Sequence, residues 1–176
     1  MSDLWQPDGE DPRDFSPTRG ERQNVLTYLR NYRHSFRLKC QGLGAEQLAR
    51  RSVPPSTMSL LGLVRHLAQM EQHWSVRVLQ GTAVPQLYED GDDRDADFNG
   101  AVADEACVEE AWATYDRIVA GADAWYDQDL DWDRLIRSGD ESYEVRDVMV
   151  HVVEEYARHV GHADLLRECI DGRTGQ

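Results

Sequence analysis

Apolar residues recur at steps of three and four along four long stretches of the chain, a spacing that places side chains on one face of an α-helix. The four stretches cover about residues 18–41, 58–80, 104–127 and 143–169. Ser56 or Thr57 is placed to cap the start of the second helix, and Gly172 to end the fourth. Between residues 128 and 142 the pattern predicts a short strand or an irregular turn.

The apolar stripe of the fourth helix predicts the side of that helix that faces the core. Its members are Val148, Val152, Tyr156 (or Glu155), His159, Ala163 and Leu166. Four such helices without a convincing pair of strands predict an all-α fold, a four-helix bundle. The connection between the second and third helices has about twenty residues. That is long for neighbouring helices and indicates a crossover or a loop that covers something.

The two ends of the chain lack this periodicity. Residues 1–17 contain proline and glycine without helical spacing and are predicted to form an extended arm. Residues 18–172 are predicted to form one domain, which a chain of 176 residues favours, and residues 173–176 a short tail.

The composition, 40% hydrophobic and 30% charged, is ordinary for a globular protein. The formal net charge of −14 argues against nucleic acid or an anionic membrane surface as a general partner. No apolar run approaches the roughly 20 residues that cross a bilayer, and the N-terminus lacks a signal pattern, so a cytoplasmic protein is expected. Cys40, Cys107 and Cys169 lie far apart without a Cys-x-x-Cys pair and are predicted to be free thiols.

Candidate chemistry concentrates on the fourth helix, which carries three of the six histidines. Glu155 and His159 stand four residues apart, so their side chains meet one turn apart. His151 and His162 continue the same stripe. A carboxylate and imidazoles on an apolar face are costly to bury unless something pairs with them. A divalent metal is one such partner.

A third candidate ligand, His66, lies on the second helix among apolar residues, with no acidic residue one turn away. His66, Glu155 and His159 form a set of two histidines and one carboxylate, which leaves open positions at a metal for water or substrate. A carboxylate-bridged di-iron site is disfavoured, because Arg158 stands where Glu-x-x-His requires histidine. The His-Glu-x-x-His motif of zinc proteases is absent. His162 is either a competing ligand or a group that orients His159.

An acidic run from Glu89 to Asp97 invites a calcium interpretation. An EF-hand loop beginning at Asp90 would place Arg94 at a ligand position and Asp95 where glycine is required. A solvated acidic loop between helices is therefore favoured, and its part around Asp90 is a candidate rim of the metal site.

Two blocks of sequence resemble a known family. The first is Leu63-Val-Arg-His66-Leu-Ala, followed by Glu71 and Trp74. The second, which is more specific, is Glu155-Tyr-Ala-Arg-His159-Val-Gly-His162-Ala-Asp-Leu-Leu-Arg-Glu168. Together they resemble the DinB-like (YfiT-like) metal-binding four-helix bundles, and in particular the actinobacterial branch with mycothiol-dependent maleylpyruvate isomerase and mycothiol S-transferases. The resemblance covers about residues 18–172.

The resemblance implies that His66, Glu155 and His159 hold one divalent metal at one end of the bundle, with zinc as the first candidate and nickel, manganese or iron as alternatives. Many relatives have histidine in place of Glu155. Many also have glutamine in place of His162, which favours an orienting role for that residue. The family further implies a homodimer.

The implied activity is transfer of mycothiol to an electrophilic small molecule, or an isomerisation through a thiol adduct. A low-molecular-weight thiol has a pKa of about 8.5 and is deprotonated at neutral pH when bound to a dication. Arg65 and Arg158 stand beside the ligands, and a solvated or structural role is favoured for both over binding of an anion. Two other functions stay open: a metal-binding scaffold or sensor without catalysis, and a metal-free helical interaction module whose polar groups are satisfied by hydrogen bonds.

Overall fold

The protein is a four-helix bundle in the computed structural model, which describes residues 11–175. In chain order the elements are α1 (Glu21–Cys40), α2 (Ala45–Leu48), α3 (Leu60–Glu71), a π-helical segment (Gln72–Leu79), α4 (Ala96–Asn99), α5 (Glu105–Tyr126), β1 (Leu135–Ser138), β2 (Glu141–Glu144) and α6 (Val145–Asp171). The long helix α1 packs mainly against α6, and α3 mainly against α5. The all-α prediction is confirmed. The short segment before α6 forms an antiparallel hairpin of β1 and β2.

The second long helix begins later than predicted. Ser59 is its N-cap, and the Ser59 Oγ accepts a hydrogen bond from the Gly62 amide at 3.0 Å. The predicted caps Ser56 and Thr57 are wrong. The Ser56 Oγ instead accepts a hydrogen bond from the Met58 amide at 3.2 Å, which belongs to a turn that precedes the helix.

The winding of this helix changes after Glu71, where the π-helical segment follows α3 without a break. In a π-helix the backbone hydrogen bonds join residues five apart instead of four, so the buried face of this segment does not continue the α-helical stripe. Ser75, Val78 and Leu79 are buried, whereas Trp74 is only partly buried. Such segments are rare and often lie at functional sites.

The inward face of α6 is the predicted one. Its buried residues include Val148, Val152, Tyr156, His159, Ala163 and Leu166. Of the two alternatives at one position, Tyr156 faces the core, and the Glu155 side chain remains 16% exposed. Gly172 ends the helix in the left-handed conformation with φ of 77°, as predicted.

A buried polar cluster joins the four long helices through Arg33 of α1, Glu71 of α3, Tyr115 of α5 and Tyr156 of α6. The Arg33 guanidinium forms an ion pair with the fully buried Glu71 carboxylate. The Tyr156 hydroxyl donates to Glu71 Oε2 at 2.5 Å and lies 3.1 Å from the Tyr115 hydroxyl. Because a buried charge is stable only when it is paired and hydrogen-bonded, this cluster fixes α3 and α6 relative to each other.

The N-terminal residues 11–17 contain neither helix nor strand, and Asp14 exchanges two hydrogen bonds with Asn31 of α1. Residues 1–10 of the predicted arm lie outside the described residues, and the division into arm, domain and tail stays a prediction. No helix within residues 11–175 is long and apolar enough to cross a membrane. The three cysteines are free, as predicted.

Candidate metal centre

The three predicted ligands meet between α3 and α6. His66, Glu155 and His159 each offer a donor atom, and these atoms lie within 4.8 Å of one another. The distance from Glu155 Oε2 to His159 Nε2 is 3.3 Å, as expected for side chains one helical turn apart. The ring centroids of His66 and His159 are 4.6 Å apart. The set therefore suits one small cation, whose bonds to nitrogen and oxygen measure about 2.0–2.2 Å.

The protonation of His159 also suits a metal ligand. Burial, followed by the nearby imidazoles of His66 and His162, lowers the pKa of His159 to about 3. The ring is therefore neutral at neutral pH, and a neutral imidazole has the lone pair that a metal requires.

The ring of His162 lies beside that of His159. His159 Nε2 faces Glu155, whereas His159 Nδ1 lies 3.3 Å from His162 Nδ1. A proton on His159 Nδ1 can be donated to His162, which leaves the lone pair of Nε2 directed toward Glu155 and His66. This position supports an orienting role for His162.

The orientation of His66 is set by a residue of the long connection, Asp97 of α4. Asp97 Oδ2 lies 2.7 Å from His66 Nδ1, and Asp97 is 3% exposed. With the Nδ1 proton held by this carboxylate, the Nε2 lone pair of His66 is free for a metal. The prediction that the acidic loop is solvated is correct for Asp90, Asp92 and Asp93, which are exposed. It is wrong for Asp97, which is buried.

The position of Asp97 depends on close packing of α4 against α3. The Phe98 ring stacks on the His66 ring with a centroid distance of 5.1 Å. Phe98 approaches so closely because residue 62 is glycine, where a Cβ atom would lie 2.7 Å from Phe98 Cδ1. Phe98, an apolar residue directly after the acidic run, was the sequence signal that this part of the loop is buried.

Arg65 holds the same loop in place. Its Nε donates to the Asp97 carbonyl at 2.7 Å, and its Nη2 donates to the Ala96 carbonyl at 3.2 Å. The guanidinium also lies 3.8 Å from the centroid of the Tyr88 ring. Arg158 pairs with Glu154 on the exposed side of α6. Both arginines therefore have the structural roles that the sequence favoured.

A second group of possible ligands lies one turn earlier on α6. Donor atoms of His151, Glu154 and Glu155 also lie within 4.8 Å of one another. All three come from one helix, and Glu154 is 48% exposed and already paired with Arg158. The set with His66 and His159 is less exposed and is drawn from two helices, so it is the better candidate for a tightly held metal.

A cavity of about 360 Å³ opens beside the candidate ligands, with His66 and Glu155 in its wall. The π-helical segment supplies His73, Trp74 and Arg77 to the same wall. This volume lies in the range of small-molecule sites. A small ligand in the cavity would therefore contact the candidate metal centre.

Residues 24–172 match the family model for mycothiol S-transferase. The chain belongs to the mycothiol S-transferase family. This family is DinB/YfiT-like and actinobacterial, so the resemblance seen in the sequence is confirmed. The matched segment includes His66, Glu155 and His159, together with Asp97. No match was found among curated proteins.

Proposed function

We propose that the protein is a divalent-metal-dependent S-transferase that joins mycothiol to an electrophilic small molecule. The observation that carries this proposal is the convergence of His66, Glu155 and His159 beside a cavity, in a member of the mycothiol S-transferase family. Zinc is the first candidate for the metal, because three nitrogen and oxygen ligands with an open fourth position are typical of catalytic zinc. Nickel, manganese and iron are the alternatives.

The donor set fits the chemistry that a thiol transferase needs. Two neutral imidazoles and one carboxylate leave a bound dication with a net charge of +1, which one thiolate neutralises. A bound dication would lower the thiol pKa and so supply a thiolate nucleophile at neutral pH.

In the proposed reaction, neighbouring side chains orient the two histidine ligands. In this proposal Asp97 holds the Nδ1 proton of His66, and His162 accepts the Nδ1 proton of His159, which leaves Nε2 of both rings free for the metal. The thiol proton leaves to solvent. The sulfur electron pair then forms a bond to the electrophilic carbon, and the leaving group departs with the electron pair of its bond.

A turnover assay tests this proposal. Mycothiol and methyl para-(bromomethyl)benzoate are incubated with the protein, and formation of the thioether is compared before chelation, after chelation and after zinc is restored. We expect the catalysed rate above the spontaneous reaction to disappear with chelation and to return with zinc. A catalysed rate that survives chelation, or that persists in His159→Ala, would contradict a metal-dependent transferase.

The homodimer and the cytoplasmic location expected from the resemblance are further parts of the proposal. Sedimentation analysis of the purified protein and fractionation of cells that express it test these two parts separately from catalysis.

A further inference from the structure

Arg77 is an exposed arginine at the edge of the cavity that contains His66 and Glu155. Among residues 11–175, no carboxylate forms an ion pair with it. Of the carboxylates that the structure describes, only Glu155 lies in the cavity wall, and the proposed function assigns that group to the metal. Arg77 therefore offers this wall a cation that no ion pair of the described residues occupies, although the chain as a whole has a net charge of −14.

Helix geometry directs Arg77 toward the candidate metal centre. His66, His73 and Arg77 are spaced by seven and four residues along α3 and the π-helical segment, and all three line the same cavity. Helical side chains lean toward the N-terminus of the helix, so the long Arg77 side chain leans toward the preceding turn, which carries His73. A rise of 1.5 Å per residue places His73 roughly 10 Å from His66 along the axis.

Trp74 supplies an aromatic ring to the same wall. The centroids of the Trp74 and His151 rings are 4.6 Å apart, and the Trp74 ring gives the cavity a flat apolar surface.

We propose that this cavity selects electrophiles that carry a carboxylate, which the Arg77 guanidinium binds while the reacting carbon lies beside His66 and Glu155. The inference rests on the proposed function and names its class of substrate. A guanidinium presents two parallel N–H donors that match the two oxygens of a carboxylate. An apolar or aromatic spacer would connect the two ends across Trp74.

Matched electrophiles test the selection. In para-(bromomethyl)benzoate and its methyl ester the reaction is the same, because the sulfur displaces bromide, which leaves with the carbon–bromine electron pair. With the metal-loaded protein and mycothiol, we expect Arg77→Gln to raise the KM of the benzoate about tenfold more than the KM of the ester. Arg77→Lys, which keeps the charge but loses the paired donors, should give an intermediate value.

Arg117→Gln is the matched control, because Arg117 is an exposed arginine on α5 without an ion pair among residues 11–175 and lies outside the cavity wall. It should change the KM of neither electrophile. Equal KM changes for both electrophiles in Arg77→Gln, or none, would overturn the assignment.

A binding measurement separates this inference from the proposed function. Calorimetric titration with para-methylbenzoate, which has no leaving group, reports the carboxylate contact without turnover. We expect binding to the zinc-loaded protein that weakens about tenfold in Arg77→Gln and is unchanged in Arg117→Gln. If neither electrophile is turned over but this difference is found, the transferase proposal fails and the carboxylate site stands. If Arg77→Gln binds as tightly as the unmodified protein, the carboxylate site is wrong.

Discussion

Asp97 holds His66 through a 2.7 Å contact between Asp97 Oδ2 and His66 Nδ1, although the two residues lie 31 positions apart in the chain. The contact joins a four-residue helix in the long connection to the central helix α3. Because it fixes which nitrogen of His66 is available, the connection is part of the proposed metal centre.

Loss of this carboxylate should weaken the metal site while the ligands stay in place. Removal of a group that orients a ligand typically lowers metal affinity about 10–100-fold, and we expect Asp97→Ala to fall in that range for zinc. Competition with a chromogenic zinc chelator measures the affinity. Asp92→Ala, at an exposed carboxylate of the same loop, should leave it unchanged. Equal affinities for both variants would show that Asp97 does not act on His66.

A methyl group at residue 62 should displace α4 from α3. In Gly62→Ala the new Cβ would lie 2.7 Å from Phe98 Cδ1, and overpacking of this kind typically costs about 1–3 kcal/mol. We therefore expect lower stability in urea unfolding together with weaker zinc binding.

Gly121→Ala is the control for the helix-forming effect of alanine. Gly121 lies inside α5, and a Cβ there would meet nothing within 4 Å. The substitution should stabilise the protein by about 0.5–1 kcal/mol, because alanine loses less backbone freedom on folding than glycine. Unchanged zinc affinity in Gly62→Ala would show that the packing of α4 against α3 does not affect the metal site.

How far the site follows from the sequence depends on how local each contact is. Glu155 and His159 follow from helical spacing alone, since residues four apart share a face. His66 requires two helices to be neighbours, and its apolar surroundings together with the family resemblance placed it. Asp97 could not be placed in this way, because its burial depends on the path of a long loop. A run of acidic residues by itself predicts a segment that is exposed to solvent.

The fold, like the site, follows from the sequence only where the contacts are local. Apolar spacing predicts the four long helices, but the π-helical winding after Glu71 has no repeat of its own in the sequence. A search for apolar positions does not select Arg33, because this residue is charged. Its side chain is nevertheless only 6% exposed, because Glu71 on another helix forms an ion pair with it. Pairing across the core can make a charged position a buried one, and this information is not contained in either helix alone.

Removal of Arg33 should destabilise the bundle strongly. In Arg33→Met the Glu71 carboxylate stays fully buried without its cation, and breaking a buried pair in this way typically costs about 3–5 kcal/mol. Arg30→Met, at an exposed pair with Asp127, should cost less than about 1 kcal/mol. Urea unfolding of the two variants measures both losses.

The loss in Arg33→Met should also depend on pH. Burial raises the pKa of Glu71, and Arg33 opposes that shift. Without Arg33 the folded state binds the Glu71 proton more tightly than the unfolded state does, so stability falls as pH rises. The difference from the unmodified protein should therefore be smaller at about pH 5 than at about pH 7. A loss that grows at the lower pH would contradict this account of the pair.

The cysteines of the protein should differ in reactivity. Burial raises the pKa of the Cys40 thiol to about 12, so it stays protonated and enclosed. Cys169 is exposed. At about pH 8, iodoacetamide should alkylate Cys169 and leave Cys40 unmodified until the protein is unfolded, which mass spectrometry of peptides can measure. Rapid modification of Cys40 in the folded protein would show that α1 opens at this position.

Bound metal per chain tests the central claim most directly. The measurement is elemental analysis of protein purified without an affinity tag, for the unmodified chain, His159→Ala and His34→Ala, a histidine of α1 that belongs to neither group of possible ligands. We predict about one divalent metal per chain in the unmodified protein and in His34→Ala, and none in His159→Ala. Unmodified protein that stays metal-free after incubation with zinc, nickel, manganese or iron would contradict the proposed centre, as would full metal content in His159→Ala.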